Sequence, residues 1–179
     1  MSVFFVSDLH LGHRTILRHT REVVEYWKEK RPNDLGPVRN GATVDEHDEW
    51  VISRLNAVNP NKRTMWYILG DVAMDEDKLK LLNEVEGRKI LVSGNHDTFP
   101  TEMYLRYFER VTGGFKKYGM WLTHIPVHSS ELRGGNNIHG HTHHHTTFGD
   151  ARYRNVCIEW LVGNRPISLD QLRQEEFAP

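Results

Sequence analysis

Short apolar runs that alternate with helical patterns constrain the fold of this chain more than any other feature. Each run is apolar at consecutive positions, which is typical of strands in a sheet that is covered on both faces. The runs predict strands at Val3–Val6, 65–69, 90–92, Met120–Leu122 and 155–161. Because the chain has 179 residues and shows no linker or repeat, we expect a single α/β domain over 1–179.

Helical patterns lie between the apolar runs. Two capping boxes predict that helices begin after Thr43 and after Ser168. Further helices are expected over 77–86 and 100–110, because apolar residues recur there at helical spacing. Segment 31–41 is rich in Pro, Gly and Asn, which predicts a surface loop.

Composition narrows the classes of function. The formal net charge is -1, whereas proteins that bind polymeric nucleic acid usually carry a basic excess. This balance makes a nucleic-acid polymer an unfavoured partner and favours a small substrate. No apolar run approaches the length of a membrane span, and no secretory signal is visible. The single Cys157 lies in an apolar run, so we expect a buried structural thiol and a cytoplasmic location.

Side chains that can bind metal ions follow the apolar runs. Twelve histidines are present, and several of them cluster. The carboxyl ends of strands are where ligand sites gather in α/β sheets, so these side chains are predicted to meet there. The candidate ligands are Asp8, His10, Asp71, Asn95, His124, His141 and His143.

The spacing of the candidates suggests how they share metal ions. On extended backbone, the side chains of Asp8 and His10 would point to the same side, so that one metal ion takes both. The same holds for His141 and His143 if that segment is extended. If the segment turns, the two histidines can serve two different metal ions. Glycines precede Asp71, Asn95 and His141, and they allow sharp bends and close backbone approach.

The order of these blocks resembles the calcineurin-like metallophosphoesterases. The matching blocks are Asp8-x-His10, Gly70-Asp71, Gly94-Asn95-His96-Asp97, His124 and Gly140-His141-x-His143. They run from about Ser7 to His143, most of the chain, and are most similar to a small, uncapped bacterial and phage subgroup. The resemblance implies a four-layer α/β/β/α sandwich, in which two mixed sheets face each other and helices cover the outside.

The resemblance also implies a role for each ligand. One metal ion would take Asp8, His10, Asp71 and His143; the other would take Asp71, Asn95, His124 and His141, with Asp71 bridging the pair. Carboxylate, imidazole and amide ligands suit Mn²⁺, Fe, Zn²⁺ or Ni²⁺, and we favour Mn²⁺. The implied reaction is hydrolysis of a phosphate ester by a hydroxide held between the two metal ions.

His96 is the motif histidine without a metal ion in this assignment, so it is expected to act as general acid toward the leaving group or to bind a phosphate oxygen. Many family members place an Asp three residues after the bridging Asp to orient this histidine, but Met74 occupies that position here. The favoured activity is a phosphodiesterase acting on a small nucleotide-like substrate. A phosphomonoesterase or protein phosphatase and a metal-binding scaffold without catalysis are the alternatives.

Several other residues are weaker candidates. His13 and His128 lie in motif-like surroundings and are candidates to line the substrate pocket. Arg39 either reaches a substrate phosphate or stays exposed in its loop. We expect His19 and His47 to be surface residues of helices.

Overall fold

The computed structural model describes residues 2–17, 39–143 and 149–174. His19 and residues 31–38 of the expected surface loop lie outside these ranges. None of the described helices is both long and apolar enough to cross a membrane.

The described residues form a mixed α/β fold with two sheets. The strands are β1 (Val3–Val6), β2 (Met65–Ile68), β3 (Arg88–Val92), β4 (Arg110–Thr112), β5 (Phe115–Lys117), β6 (Met120–Leu122), β7 (Asn136–His139), β8 (Tyr153–Asn155) and β9 (Ile167–Ser168). One sheet has the order β4-β3-β2-β1-β9, in which β9 alone is antiparallel to its neighbour. The other has the order β5-β6-β7-β8, in which only the β5–β6 pair is antiparallel.

The two sheets contact each other through aromatic side chains. Tyr67 of β2 lies 5.9 Å from Tyr118 and 6.2 Å from Phe115, measured between ring centroids. The hydroxyls of Tyr67 and Tyr118 are 3.3 Å apart. The sheets are also joined at the end of β1, where Ser7 forms a parallel bridge with Cys157. The carboxyl ends of β1, β2 and β3 therefore lie near the segments that follow β7 and β8.

The helices are α1 (Val44–Asn56), α2 (Thr101–Tyr104), α3 (Ser129–Leu132) and α4 (Leu169–Gln174), together with 3₁₀ helices at Glu76–Glu84 and Val162–Asn164. Both predicted capping boxes are confirmed. The backbone N–H of Glu46 donates to the Thr43 hydroxyl at 3.2 Å, and that of Gln171 donates to the Ser168 hydroxyl at 3.1 Å.

The expected helix over 77–86 is a 3₁₀ helix instead. Leu79 and Leu82 of this helix and Val85, which directly follows its last residue, are three positions apart, and all three are buried. Residues three apart lie directly above one another in a 3₁₀ helix, so this spacing buries one face in that geometry. The period of three in the sequence therefore favours the tighter helix.

Two other expected elements are shorter than predicted. The helix over 100–110 ends at Tyr104, because the backbone N–H of Glu109 already pairs with the carbonyl of Lys89 at 2.8 Å to begin β4. The strand over 155–161 is also wrong in its extent. β8 ends at Asn155, and the chain continues only as a bridge to Ser7 before it turns.

Candidate metal centre

The predicted ligands lie where the ends of several strands meet. Asp8 follows β1, and Asp71 follows β2 after Gly70; the backbone N–H of Asp8 donates to the carbonyl of Gly70 at 3.0 Å. On the second sheet, the N–H of Gly140 donates to the carbonyl of His124 at 2.9 Å. These bonds hold the loops that carry the side chains next to one another.

One group of potential metal donors consists of Asp8, His10 and His143. The Nε2 atoms of His10 and His143 lie 3.6 Å and 3.5 Å from Oδ1 of Asp8. The two imidazole rings stack with their centroids 5.1 Å apart. All three ligand atoms lie within 4.8 Å of one another, so a single metal ion could contact them together.

A second group consists of Asp8, Asp71 and His124. Nε2 of His124 lies 3.4 Å from Oδ2 of Asp71 and 2.9 Å from Oδ1 of Asn95. The other ring nitrogen of His124 contacts the carbonyl of Leu69 at 2.7 Å, which turns Nε2 toward the carboxylates. Asp8 belongs to both groups. Oδ2 of Asp71 also lies 3.8 Å from Nε2 of His10, so Asp71 faces histidines of both groups.

The backbone at these residues is not extended, and that expectation is wrong. Asp8, His10, Asp71, His141 and His143 have φ values of 59°, 52°, 55°, 68° and 47°. Such left-handed conformations are uncommon outside glycine, and they cluster at functional sites where the surrounding structure enforces them. The left-handed conformation of Asp8 and His10 brings their side chains together in one donor group.

The segment of His141 and His143 turns, which is the second of the two arrangements considered above. His143 joins Asp8 and His10, whereas the His141 ring lies 5.0 Å from the His124 ring. The backbone N–H of His141 donates to Oδ2 of Asp8 at 2.9 Å. The two histidines therefore lie beside different donor groups.

Glycine is required before Asp71, because the backbone at Gly70 closely approaches the Gly94 backbone and the His124 side chain. Gly70 has a φ of 93°, and a Cβ at this position would lie 2.7 Å from the backbone nitrogen of Gly94 and would also overlap His124. Real Cβ contacts are longer than 3.0 Å, so no side chain fits here without displacing the site.

The residues present fit a bound cation. Oδ1 of Asp8 and both ring nitrogens of His10 are buried and have no hydrogen-bond partner among the described residues. Buried polar groups are normally satisfied, because leaving one without a partner costs about 1–3 kcal/mol. A metal ion between Oδ1 of Asp8 and Nε2 of His10, which lie 3.6 Å apart, would satisfy these two atoms. The donor set of carboxylates, imidazoles and an amide is one that divalent transition metals accept.

The electrostatics of the site also favour a cation. Burial opposes charge on Asp8 and Asp71, yet hydrogen bonds and the neighbouring histidines hold the pKa of both carboxyls below the usual range. Burial lowers the pKa of His124, but the carboxylates of Asp71 and Asp8 outweigh it and raise the pKa to about 8. Both carboxylates are therefore ionised near neutral pH, and they draw a proton onto His124 as they would draw a metal cation.

His96 lies at the edge of this centre. Its ring centroid is 5.7 Å from that of His10, and its side chain is exposed. No described residue hydrogen-bonds to its imidazole, so a partner that orients His96 is not found in the described parts of the chain. Asp97 does not serve in this way, because its carboxylate accepts backbone N–H groups of Asp71, Val72 and Gly94 at 2.8–2.9 Å.

A buried charged cluster behind the centre was not foreseen. Arg39 is only 5% exposed, so the exposed position considered for it is wrong. Its guanidinium donates to the carbonyls of Asp8 and Leu9 and to Glu159, and its Nη1 contacts Nε2 of His47 at 3.2 Å. His47 is fully buried, so its expected surface position is also wrong. His47 is buried because the face of α1 that carries His47 and Asp48 packs against Arg39 and against Gly12 in the loop after β1.

Glu159 is the residue of the site that the sequence interpretation missed. Its carboxylate contacts Nδ1 of His143 and Nη2 of Arg39. Burial raises the pKa of Glu159, but Arg39 and His143 outweigh it and hold the pKa at about 2. The signal was the alternation of Asn155, Cys157 and Glu159 with the apolar Val156 and Ile158, which predicts that the first three share one side of the segment.

The three candidates for substrate contact lie in different places. His13 lines a cleft of about 470 Å³ together with Arg14 and Met74, and its ring is 5.4 Å from the His10 ring. His128 is the N-cap of α3, where Nδ1 accepts the backbone N–H of Ser130. Arg39 points into the protein. His13 thus lies beside His10 of the candidate metal centre. Contact of the substrate with His13, Arg39 or His128 stays a prediction.

Comparison with known proteins gives a likeness of fold. No family model matches the chain, and no curated protein matches it significantly. The structure of the protein of unknown function AQ665 from Aquifex aeolicus has a TM-score of 0.65 at 22% identity, over 97% of this chain and 98% of that chain. The nuclease MPE of Pseudomonas putida has a TM-score of 0.38 at 16% identity, over 79% and 61%. The first likeness indicates a shared fold, and the second is too weak to support an argument.

Proposed function

We propose that this chain is a dinuclear-metal phosphoesterase that hydrolyses a small, nucleotide-like phosphodiester. The observation that supports this most directly is the sharing of carboxylates between two donor groups. Asp8 belongs to both groups, and Oδ2 of Asp71 lies 3.8 Å from His10 and 3.4 Å from His124. A carboxylate that lies close to imidazoles of both donor groups is suited to contact a metal ion in each group.

In this proposal, Asp8, His10, Asp71 and His143 hold one ion, and Asp71, Asn95, His124 and His141 hold the other. Mn²⁺ is the favoured ion, since oxygen and imidazole donors suit it and no thiolate is among them. Two such ions would supply an acidified water as nucleophile and would stabilise charge on the phosphoryl oxygens. The proposed fold is the four-layer α/β/β/α sandwich, with the two sheets as its inner layers.

The proposed role of His96 is that of general acid. Its exposed imidazole lies beside His10, and its backbone N–H donates to Oδ1 of Asp71 at 2.9 Å. The imidazole can therefore meet a leaving alkoxide at the edge of the centre and give it a proton, while the same residue stays fixed to the carboxylate.

The cleft beside His10 is the proposed place for the leaving group. Its walls are joined by the backbone N–H of Met74, which donates to the carbonyl of Leu11 at 2.8 Å. Met74 offers apolar surface, His13 and Arg14 offer hydrogen-bond donors, and Asp75 and Glu76 offer acceptors for hydroxyl groups. A nucleoside-like group presents both ring faces and hydroxyls, so it suits this combination better than a purely aliphatic alcohol.

The test is to measure hydrolysis of bis(p-nitrophenyl) phosphate and of p-nitrophenyl phosphate by Mn²⁺-loaded protein, with chelator added in a parallel sample. A diester rate that chelator abolishes supports the proposal. A rate on the monoester alone indicates a phosphomonoesterase. Bound metal without hydrolysis of either substrate would reject the enzyme and favour a scaffold.

A further inference from the structure

The segment 155–159 contacts both loops of the first donor group. Val156 and Ile158 are fully buried in the core. The alternate residues Asn155, Cys157 and Glu159 face the other way, toward the loops that carry Asp8 and His143. One short segment thus contacts two ligands that come from different sheets.

Asn155 fixes the backbone of the His143 loop. Its amide donates to the carbonyl of His143 at 2.7 Å and to the hydroxyl of Thr142 at 3.0 Å. Its own oxygen accepts the backbone N–H of Cys157 at 2.8 Å, which holds the segment in register with the loop. These bonds help to explain how His143 is kept in its left-handed conformation.

Cys157 contacts Asp8 directly. Its thiol is fully buried, and Sγ lies 3.1 Å from Oδ2 of Asp8 as a hydrogen-bond donor. The same oxygen accepts the backbone N–H of His141. With Oδ2 occupied by two donors, Oδ1 is left facing His10 and His143.

Glu159 contacts His143 from the side opposite to Asp8. Its carboxylate accepts from Nδ1 of His143, so the lone pair of Nε2 faces Oδ1 of Asp8 at 3.5 Å. Arg39 donates to the same carboxylate at 2.8 Å and to the carbonyl of Leu9 at 3.0 Å. A carboxylate behind a ligating histidine fixes its tautomer and ring orientation and makes it a better metal ligand.

We propose that Glu159 and Cys157 are positioning residues of the metal centre, which hold His143 and Asp8 in their ligating orientations. This inference rests on the metal centre of the proposed function but does not require catalysis. A purely structural role would change the stability of the metal-free protein and leave metal affinity unchanged. A positioning role changes metal affinity.

The test uses the full chain, stripped of metal by chelator, and Mn²⁺ alone as the probe in isothermal titration calorimetry. Glu159→Gln is expected to weaken binding at one of the two sites by roughly 10–100-fold. Urea unfolding of the metal-free proteins shows whether the variant is folded. Glu109→Gln is the matched control, because Glu109 also pairs with an arginine, Arg88, but on the surface.

Glu159→Asp keeps the charge beside Arg39 but shortens the side chain, so it replaces Glu159→Gln as the test if that variant does not fold. Glu159→Asp is expected to weaken Mn²⁺ binding as well, because the shorter side chain holds His143 less well. Cys157→Ser keeps a donor to Asp8 and is expected to bind Mn²⁺ more tightly than Cys157→Ala.

Wild-type Mn²⁺ affinity in a folded Glu159 variant would overturn the inference, and so would a wild type that binds no Mn²⁺. Mn²⁺ binding by the wild type without phosphodiester hydrolysis would reject the proposed function and leave this inference standing.

Discussion

The backbone N–H of His96 donates to Oδ1 of Asp71 at 2.9 Å, which ties the proposed acid to the proposed bridging ligand. Oδ2 of the same carboxylate faces His124 and His10. One carboxylate thus fixes the loop that carries the acid and faces both donor groups. Because the two oxygens of Asp71 have different partners, substitutions of Asp71 and of His96 are expected to have different effects.

Asp71→Asn is expected to remove metal binding at both sites, because the amide carries no charge and its nitrogen cannot ligate. Metal content after Mn²⁺ loading and desalting, measured by elemental analysis, tests this. Asp150→Asn is the control, since Asp150 pairs with Arg152 away from the centre. Retention of one full equivalent of metal by Asp71→Asn would show that Asp71 does not bridge.

His96→Ala is expected to retain both metal ions and to slow turnover of the diester by about 10²–10⁴-fold, the usual effect of a positioned acid. The backbone N–H that contacts Asp71 remains in this variant, so the ligand geometry is preserved. The measurement is kcat together with metal content. Loss of the metal ions from His96→Ala would contradict the division of roles.

Gly94→Ala is expected to disturb the centre although residue 94 binds no metal. A Cβ there would lie 2.7 Å from the backbone nitrogen of Asp71 and would overlap its carboxylate. Gly113→Ala is the matched control, because a Cβ at Gly113 meets nothing within 4 Å. We expect Mn²⁺ titration to show weaker binding for Gly94→Ala alone, and equal affinities in the two variants would argue against the close approach.

His47 is expected to make the protein less stable in acid. Burial, together with Arg39, keeps the pKa of His47 below its ordinary 6.5, although Asp48 opposes this. Below pH 6.5 the unfolded chain therefore binds a proton that the folded chain does not, and the free energy of unfolding falls as the pH drops. The effect of this one group is at most about 1.4 kcal/mol per pH unit.

Urea unfolding of metal-free protein at pH 7.5 and pH 5.5 measures this effect. His47→Gln does not titrate, so it should lose less stability than the wild type over this interval. An equal loss in both proteins would show that His47 is not responsible.

The buried strands β1, β2, β3 and β6 and the grouping of Asp8, Asp71 and His124 could be predicted, because both depend on local pattern. The strands β4, β5, β7 and β9 could not be predicted, because they carry no continuous apolar run. Apolar runs report burial, and polar residues after them mark strand ends, so Asp8, Asp71 and His124 were placed together from their order alone. The left-handed backbone at Asp8 and His10 could not be predicted, because contacts with the Gly70–Val72 segment impose it. The burial of Arg39 could not be predicted for a related reason. Its Pro- and Gly-rich surroundings indicate a surface loop, whereas its burial depends on distant acceptors.

Two metal ions are expected to act together in this centre. The most direct measurement is the initial rate of bis(p-nitrophenyl) phosphate hydrolysis by chelator-stripped protein as Mn²⁺ is added in known ratios to protein. If both ions are needed, the rate rises until two equivalents are bound and then stays level. A rate that saturates at one equivalent, or no hydrolysis at any ratio, would contradict this expectation.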